Sequence, residues 1–216
     1  SYGLWRCTYV DGKYVYAKML VPNRELDSLR KIHALFKDKF GNVWIGTQNS
    51  GIWRFGNSYG PGSLHSLELG FPEVDVTSFV QLEDGLVAVA SDGHGIFVVD
   101  SMFQQQKRME VAQGLTSNNV LSMSKSSNGF LWVVFWGGET CLVNPLTDEI
   151  IKINYKGISD PIYNTKAVKE FSNGEVWVGT SGDGVYARDL DGNWKRIILS
   201  DENQNFLLSF SSTICR

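Results

Sequence analysis

The sequence predicts an all-β fold built from repeated four-stranded antiparallel sheets, and three observations carry that expectation. One stretch is written four times: GNVWIGTQNSGIWRF from Gly41 returns as DGLVAVASDGHGIFVV from Asp84, NGFLWVVFWGGETCLV from Asn128 and GEVWVGTSGDGVYAR from Gly174. Trp44, Ala88, Trp132 and Trp177 thereby fall in register at intervals of 44, 44 and 45 residues. Each copy is preceded by a second aligned run, beginning at Ile32, Val76, Val120 and Thr165, with the same steps. All these runs are short, rich in Val, Ile, Trp, Phe and Thr, and separated by turn residues, with no sustained helical period.

A repeat of this length is a supersecondary unit that cannot bury its apolar face alone. Four antiparallel strands per unit, here A to D, describe the blade of a β-propeller. Gly41-Asn42, Asp84-Gly85, Asn128-Gly129 and Asn173-Gly174 join strands A and B, where tight hairpins need positive φ angles. Asp11-Gly12, Asn144-Pro145 and Asp191-Gly192 join C to D. Neighbouring blades cover both faces of strand B, which explains its nearly continuous apolar character. Trp44, Trp132 and Trp177 are therefore expected to pack between blades.

In chain order, residues 1–20 are expected to form strands C and D of a blade, because Gly3-Leu4-Trp5-Arg6 aligns with Gly51-Ile52-Trp53-Arg54. Blades follow over 21–70, 71–113, 114–156 and 157–199, and 200–216 reads as the start of another, with Phe206 to Phe210 as its strand A. The first of these opens on a polar connection, residues 21–31, and has a Gly- and Ser-rich C–D connection, GNSYGPGSL. Four whole and two partial blades suggest a piece of a larger propeller, since each repeat needs its neighbours.

Hydrophobic residues make up 43% and charged residues 20%, which suits a packed core and not an apolar span. The net charge of −3 and the lack of any Lys/Arg run argue against a nucleic-acid footprint. Cys7, Cys141 and Cys215 make no C-x-x-C pattern; Cys7 and Cys141 fall on C strands and are expected to be small buried hydrophobes. No cofactor and no metal site are expected.

Strand direction puts the B–C turns and the D–A connections on one face. These turns vary most between repeats, which is where function usually resides on a rigid scaffold. The candidate ligand-binding residues are therefore Gln48, Asn49, Asp92, His94, Trp136, Glu139 and Asp183. Trp136 stands where the other repeats carry Gln, Asp or Ser. Its indole either stacks on the apolar face of a sugar ring or covers the ends of the strands. His33, on a strand A, is expected to pack near the channel or to touch a ligand there, and His65 is expected on the outer rim.

The segment GLTSNNVLSMSKSSNGFLWVVFWGG, from Gly114, resembles the regulator-propeller repeat of the periplasmic sensor region of Bacteroidetes-type hybrid two-component histidine kinases. That repeat runs as G-L-P-S-N, an aliphatic strand, a turn with Gly, then L-W-I-G-T and a G-L pair. The match recurs in NVWIGTQNSGIWRF and EVWVGTSGDGVYAR and departs at Ala88 to Ser91 and at Phe135-Trp136. The resemblance implies a periplasmic, non-catalytic, ligand-sensing segment that responds to oligosaccharides. Its partners would be a small-molecule ligand, other blades or domains of the same protein and a second copy in a homodimer, with the kinase and the membrane anchor elsewhere. The alternatives are a protein-interaction or dimerisation scaffold, and an enzyme like the streptogramin lyases, in which His94 with Asp92, Asp183 and Glu139 would supply acid–base chemistry.

Overall fold

In the computed structural model, residues 4–18, 31–48, 51–56, 74–102, 104–159, 162 and 164–197 are described. Their strands form five antiparallel sheets, each taking its strands in chain order. The first pairs β1 (Trp5–Val10) with β2 (Lys13–Lys18); the second holds β3 (Ile32–Lys37), β4 (Val43–Thr47) and β5 (Ile52–Phe55). The third holds β6 (Asp75–Gln81), β7 (Val87–Asp92), β8 (Gly95–Val99) and β9 (Gln105–Met109). The fourth comprises β10 (Val120–Lys125), β11 (Leu131–Phe135), β12 (Cys141–Asn144) and β13 (Glu149–Lys152). The fifth comprises β14 (Thr165–Glu170), β15 (Val176–Thr180), β16 (Val185–Arg188) and β17 (Trp194–Ile197). This is the up-and-down blade pattern of a β-propeller. A bulge recurs at the start of the first strand of the second to fifth sheets, at His33, Thr77, Leu121 and Lys166, where one extra residue turns the strand end.

Three seams join successive sheets. Trp44 packs with Val76, Phe79 and Phe97 of the third sheet, and Ala88 packs with Val120, Met123 and Leu131 of the fourth. Trp132 and Val134 pack with Val168, Val176 and Val178 of the fifth. Side chains alternate across a strand, and in these three sheets the Trp44 position faces the following sheet. Two residues on, close approach demands glycine: a Cβ at Gly46 would lie 2.5 Å from Val76 Cγ1.

The turn between the first two strands repeats as well. The N–H groups of Asp38, Leu82, Ser126 and Phe171 donate to the carbonyls of Asn42, Leu86, Phe130 and Glu175. Each of these turn residues stands six before the Trp44-position residue, and its chemistry is matched to it. Asp38 accepts the Trp44 indole N–H at 2.9 Å. Burial pushes the Asp38 carboxyl up, and hydrogen bonds from Trp44, Asn42 and Phe40 outweigh that and hold it below the ordinary carboxylate value. Leu82 faces the small, apolar Ala88 and needs no cap, while Phe171 meets Trp177 edge-on at 6.0 Å.

Ser126 is too short to reach Trp132, and Glu170 at the end of β14 replaces it from across the seam. Its carboxylate accepts the Trp132 indole N–H at 2.6 Å, the Ser126 hydroxyl at 2.5 Å and the Ser127 N–H at 2.9 Å. Burial raises the Glu170 pKa, but these bonds win and hold it down, at about 2. Gln81, at the end of β6, likewise accepts the Lys39 N–H at 3.3 Å across the first seam.

Two expectations are corrected. Trp177 is only half-buried, because no described sheet follows β14–β17, and nothing lies within 4 Å of a Cβ built on the neighbouring Gly179. Cys7 is exposed, as is the whole β1–β2 hairpin, whereas Cys141 is buried and burial pushes its thiol up to about 12. Cys215, His65 and Phe206 to Phe210 lie outside the described residues, as do residues 21–30 and most of GNSYGPGSL.

Trp132→Ala should lower unfolding stability by roughly 3–5 kcal/mol, the range for a large aromatic removed from a core, and Trp177→Ala should cost distinctly less; urea denaturation of both variants measures the difference. The depressed Glu170 pKa contributes stability that is fully present above the ordinary value of 4.5 and is lost as the pH falls toward about 2. The urea midpoint should therefore fall more steeply with acid in the parent chain than in Glu170→Gln, and parallel profiles would show that the carboxylate contributes nothing.

Candidate functional site

The opposite turns, between the second and third strands, lie against the connections that lead into the first strands. Gln48 N–H donates to the Lys31 carbonyl at 2.9 Å, and Trp136 and Ser181 N–H donate to those of Asn119 and Asn164, both at 2.8 Å. Gly95 N–H reaches Asn118 at 2.8 Å, in the connection entering the next sheet. The face expected from strand direction is thus assembled by the backbone itself.

Within that common frame one turn differs. In three repeats a hydroxyl closes the turn: Thr47, Ser91 and Thr180 donate to the carbonyls of Gly51, Gly95 and Gly184 at 2.9, 3.0 and 2.8 Å. At the same position β11 carries Phe135, which has no hydroxyl to donate. The connection ahead of β10 holds this turn instead. Thr116 donates to the Glu139 carbonyl at 2.9 Å and Ser117 to the Trp136 carbonyl at 3.0 Å. A Cβ at Gly138 would lie 2.8 Å from Thr116 Oγ1 and 2.9 Å from Phe135 Cβ, so glycine alone fits there.

The turn so anchored presents Trp136 with 56% of its surface exposed. The Lys166 ammonium, on the bulge of β14 in the next sheet, sits 4.0 Å from the centre of the indole, a cation–π contact. Glu139, three residues after Trp136, pairs with Lys152 at 3.5 Å, with both side chains largely in solvent. An aromatic face and a cation therefore meet on one seam.

The family described as Two component regulator propeller matches residues 27–49. Residues 27–49 are a regulator-propeller repeat. The structure is similar to two extracellular domains described as parts of hybrid two component systems of B. thetaiotaomicron. One has a TM-score of 0.71 at 20% identity, covering 92% of this chain and 28% of its own. The other has a TM-score of 0.66 at 20% identity, covering 90% and 25%. A catalytically inactive virginiamycin B lyase from Staphylococcus aureus, solved with quinupristin, has a TM-score of 0.65 at 14% identity, covering 89% of this chain and 62% of its own. At these identities the likeness shows the propeller fold, and the chain spans only about a quarter of the two extracellular domains. No curated protein sequence matches significantly.

The other candidates lie on other turns than Trp136 and Glu139. Gln48 is half-buried on the second sheet, and Asn49 lies outside the described residues. Asp92 is exposed at the end of β7, and the His94 carbonyl accepts from Arg108 Nε at 3.4 Å while its Nδ1 is buried without a partner. Asp183 is exposed, its N–H donating to the Thr180 hydroxyl at 3.1 Å. Among the described residues, no hydrogen bond or ion pair joins any two of Asp92, His94, Asp183 and Glu139. Among the described residues no group of three or more His, Cys, Asp or Glu is placed to hold a metal ion. His33 is exposed on the bulge of β3, so the packing role expected for it is not seen.

Lys166, Thr116 and Ser117 escape the sequence reading. The signal for Lys166 was present, since it shares the bulge position with His33, Thr77 and Leu121, but only the strand register shows that this position overlooks the preceding turn.

Proposed function

We propose that this chain is a ligand-sensing β-propeller segment in the sensor region of a hybrid two-component signalling protein, facing the periplasm or the cell exterior, and that its ligand is an oligosaccharide. The regulator-propeller repeat at residues 27–49 supports the first part, as does the likeness to extracellular domains of such systems. The observation that carries the ligand class is Trp136, a half-exposed indole on a turn anchored at both ends. A held indole offers a flat apolar surface at little entropic cost, and Glu139, Lys166 and the nearby Thr116 and Ser117 supply donors and acceptors for hydroxyls.

In this reading the segment catalyses nothing and needs no cofactor. A sugar lying across the Trp136 turn and the Lys166 bulge touches two sheets at once. It favours whichever arrangement of blades or protomers presents both, and only such differential affinity moves a conformational equilibrium. A kinase outside this chain would read the change. A second reading, a protein-interaction scaffold, is favoured by one observation: Tyr9, Tyr14 and Tyr16 on the β1–β2 hairpin are each about two-thirds exposed, which suits docking of another blade, domain or copy.

A thermal-shift screen of oligosaccharides tests the sensor reading. A sugar at a hundred times its dissociation constant should add about 2.7 kcal/mol of stability, and Trp136→Ala should abolish the shift while leaving the melting temperature of the unliganded protein close to the parent's. A flat response to every sugar would favour the scaffold. A shift that survives Trp136→Ala would place the ligand elsewhere.

A further inference from the structure

A cavity of about 320 Å³ opens at the third seam, between the outer strands of the fourth and fifth sheets. It is large enough for a small molecule, for which pockets start near 300 Å³. Trp132 and Trp194 contribute to its lining from the buried core, and Leu142, Ile151 and Ile153 line it from β12, β13 and the residue that follows. Ile151 is 41% exposed, an uncovered aliphatic surface inside a concave site.

The polar lining is chiefly cationic. Lys152, Lys156 and Arg188 face a single carboxylate, Asp191. Lys152 reaches out toward Glu139 at 3.5 Å, whereas no hydrogen bond or ion pair engages the side chains of Lys156 and Arg188 among the described residues. Arg188 is half-buried beside the Asp191-Gly192 turn, with guanidinium atoms 3.7 and 3.8 Å from the point where a Gly192 Cβ would stand. A partly desolvated guanidinium is a fork of donors suited to a planar carboxylate or sulfonate.

We infer that this cavity binds a small organic anion, its acidic group held by Arg188 and Lys156 and its apolar body laid over Leu142, Ile151 and Ile153. Charge selects the class: one acidic residue against three basic ones leaves the cavity net positive, and the aliphatic lining disfavours a bare inorganic ion. Neither Trp136 nor Lys166 lines the cavity, and the inference does not depend on the oligosaccharide reading.

Isothermal titration calorimetry with 2-naphthoate as the probe tests the assignment, with neutral 2-naphthalenemethanol and sodium sulfate as comparisons. Saturable binding of naphthoate is expected, at least 10-fold tighter than the neutral analogue and weakened by added salt. Arg188→Gln should raise the dissociation constant 10-fold or more. Ile151→Glu, at an exposed position that the fold tolerates, should do the same by placing a negative charge in the cavity, and it decides the matter if Arg188→Gln fails to fold. No saturable binding, equal binding of the neutral analogue, or affinity undiminished in a folded variant would overturn the proposal. So would a loss caused by Trp136→Ala in place of these changes, since the probe would then sit on the loop face.

Discussion

A sheet with two apolar faces has no stable existence alone, and here the strand B of the second, third and fourth sheets turns its central residue toward the following sheet. Where that residue is tryptophan, its indole N–H enters a dry seam and must find an acceptor there, because an unsatisfied buried donor costs about 1–3 kcal/mol. The bond from Trp132 to Glu170 is the clearest case: a carboxylate from one sheet satisfies the indole and the turn of its neighbour together. Asp38 solves the same problem within its own sheet. The seam with Ala88 avoids it by removing the indole, and its turn residue is the apolar Leu82.

This division leaves the two ends of the sheets with different freedom. At the end holding the A–B turns, backbone bonds repeat in all four copies, and side chains there are committed to closing seams. At the other end, three turns close with their own hydroxyl, and the fourth gives that up for Phe135 and is held from outside by Thr116 and Ser117. Rigid seams thus position a turn whose exposed residue is free to vary. Trp136 occupies it, and the bulge of the next sheet brings Lys166 over the ring.

Much of this was legible in the sequence, because strand period, turn residues and repeat register are local properties. The 44-residue step places every described strand B, and the six-residue spacing between turn residue and tryptophan is visible once the copies are aligned. What escaped depends on neighbours. Glu170 caps an indole 38 residues away, and nothing in its own repeat marks it. Trp177 carries the same sequence signal as Trp132 yet is only half-buried, since burial is set by the sheet that follows. Cys7 fails for the same reason on an uncovered hairpin. Among the seven site candidates, equivalence of position between repeats was readable, whereas convergence was not: Trp136 meets Lys166, which no alignment of turns brings forward, while Gln48, Asp183 and the pair Asp92 and His94 remain on three other turns.

A double-mutant cycle between Trp132→Phe and Glu170→Gln, read by equilibrium unfolding near neutral pH, tests most directly whether the seam is closed by this bond. Residues that share a hydrogen-bond network couple by about 0.5–3 kcal/mol, and a coupling in that range is the predicted result. Strictly additive effects would mean that the sheets are held by apolar packing alone and that the indole–carboxylate bond is incidental to the fold.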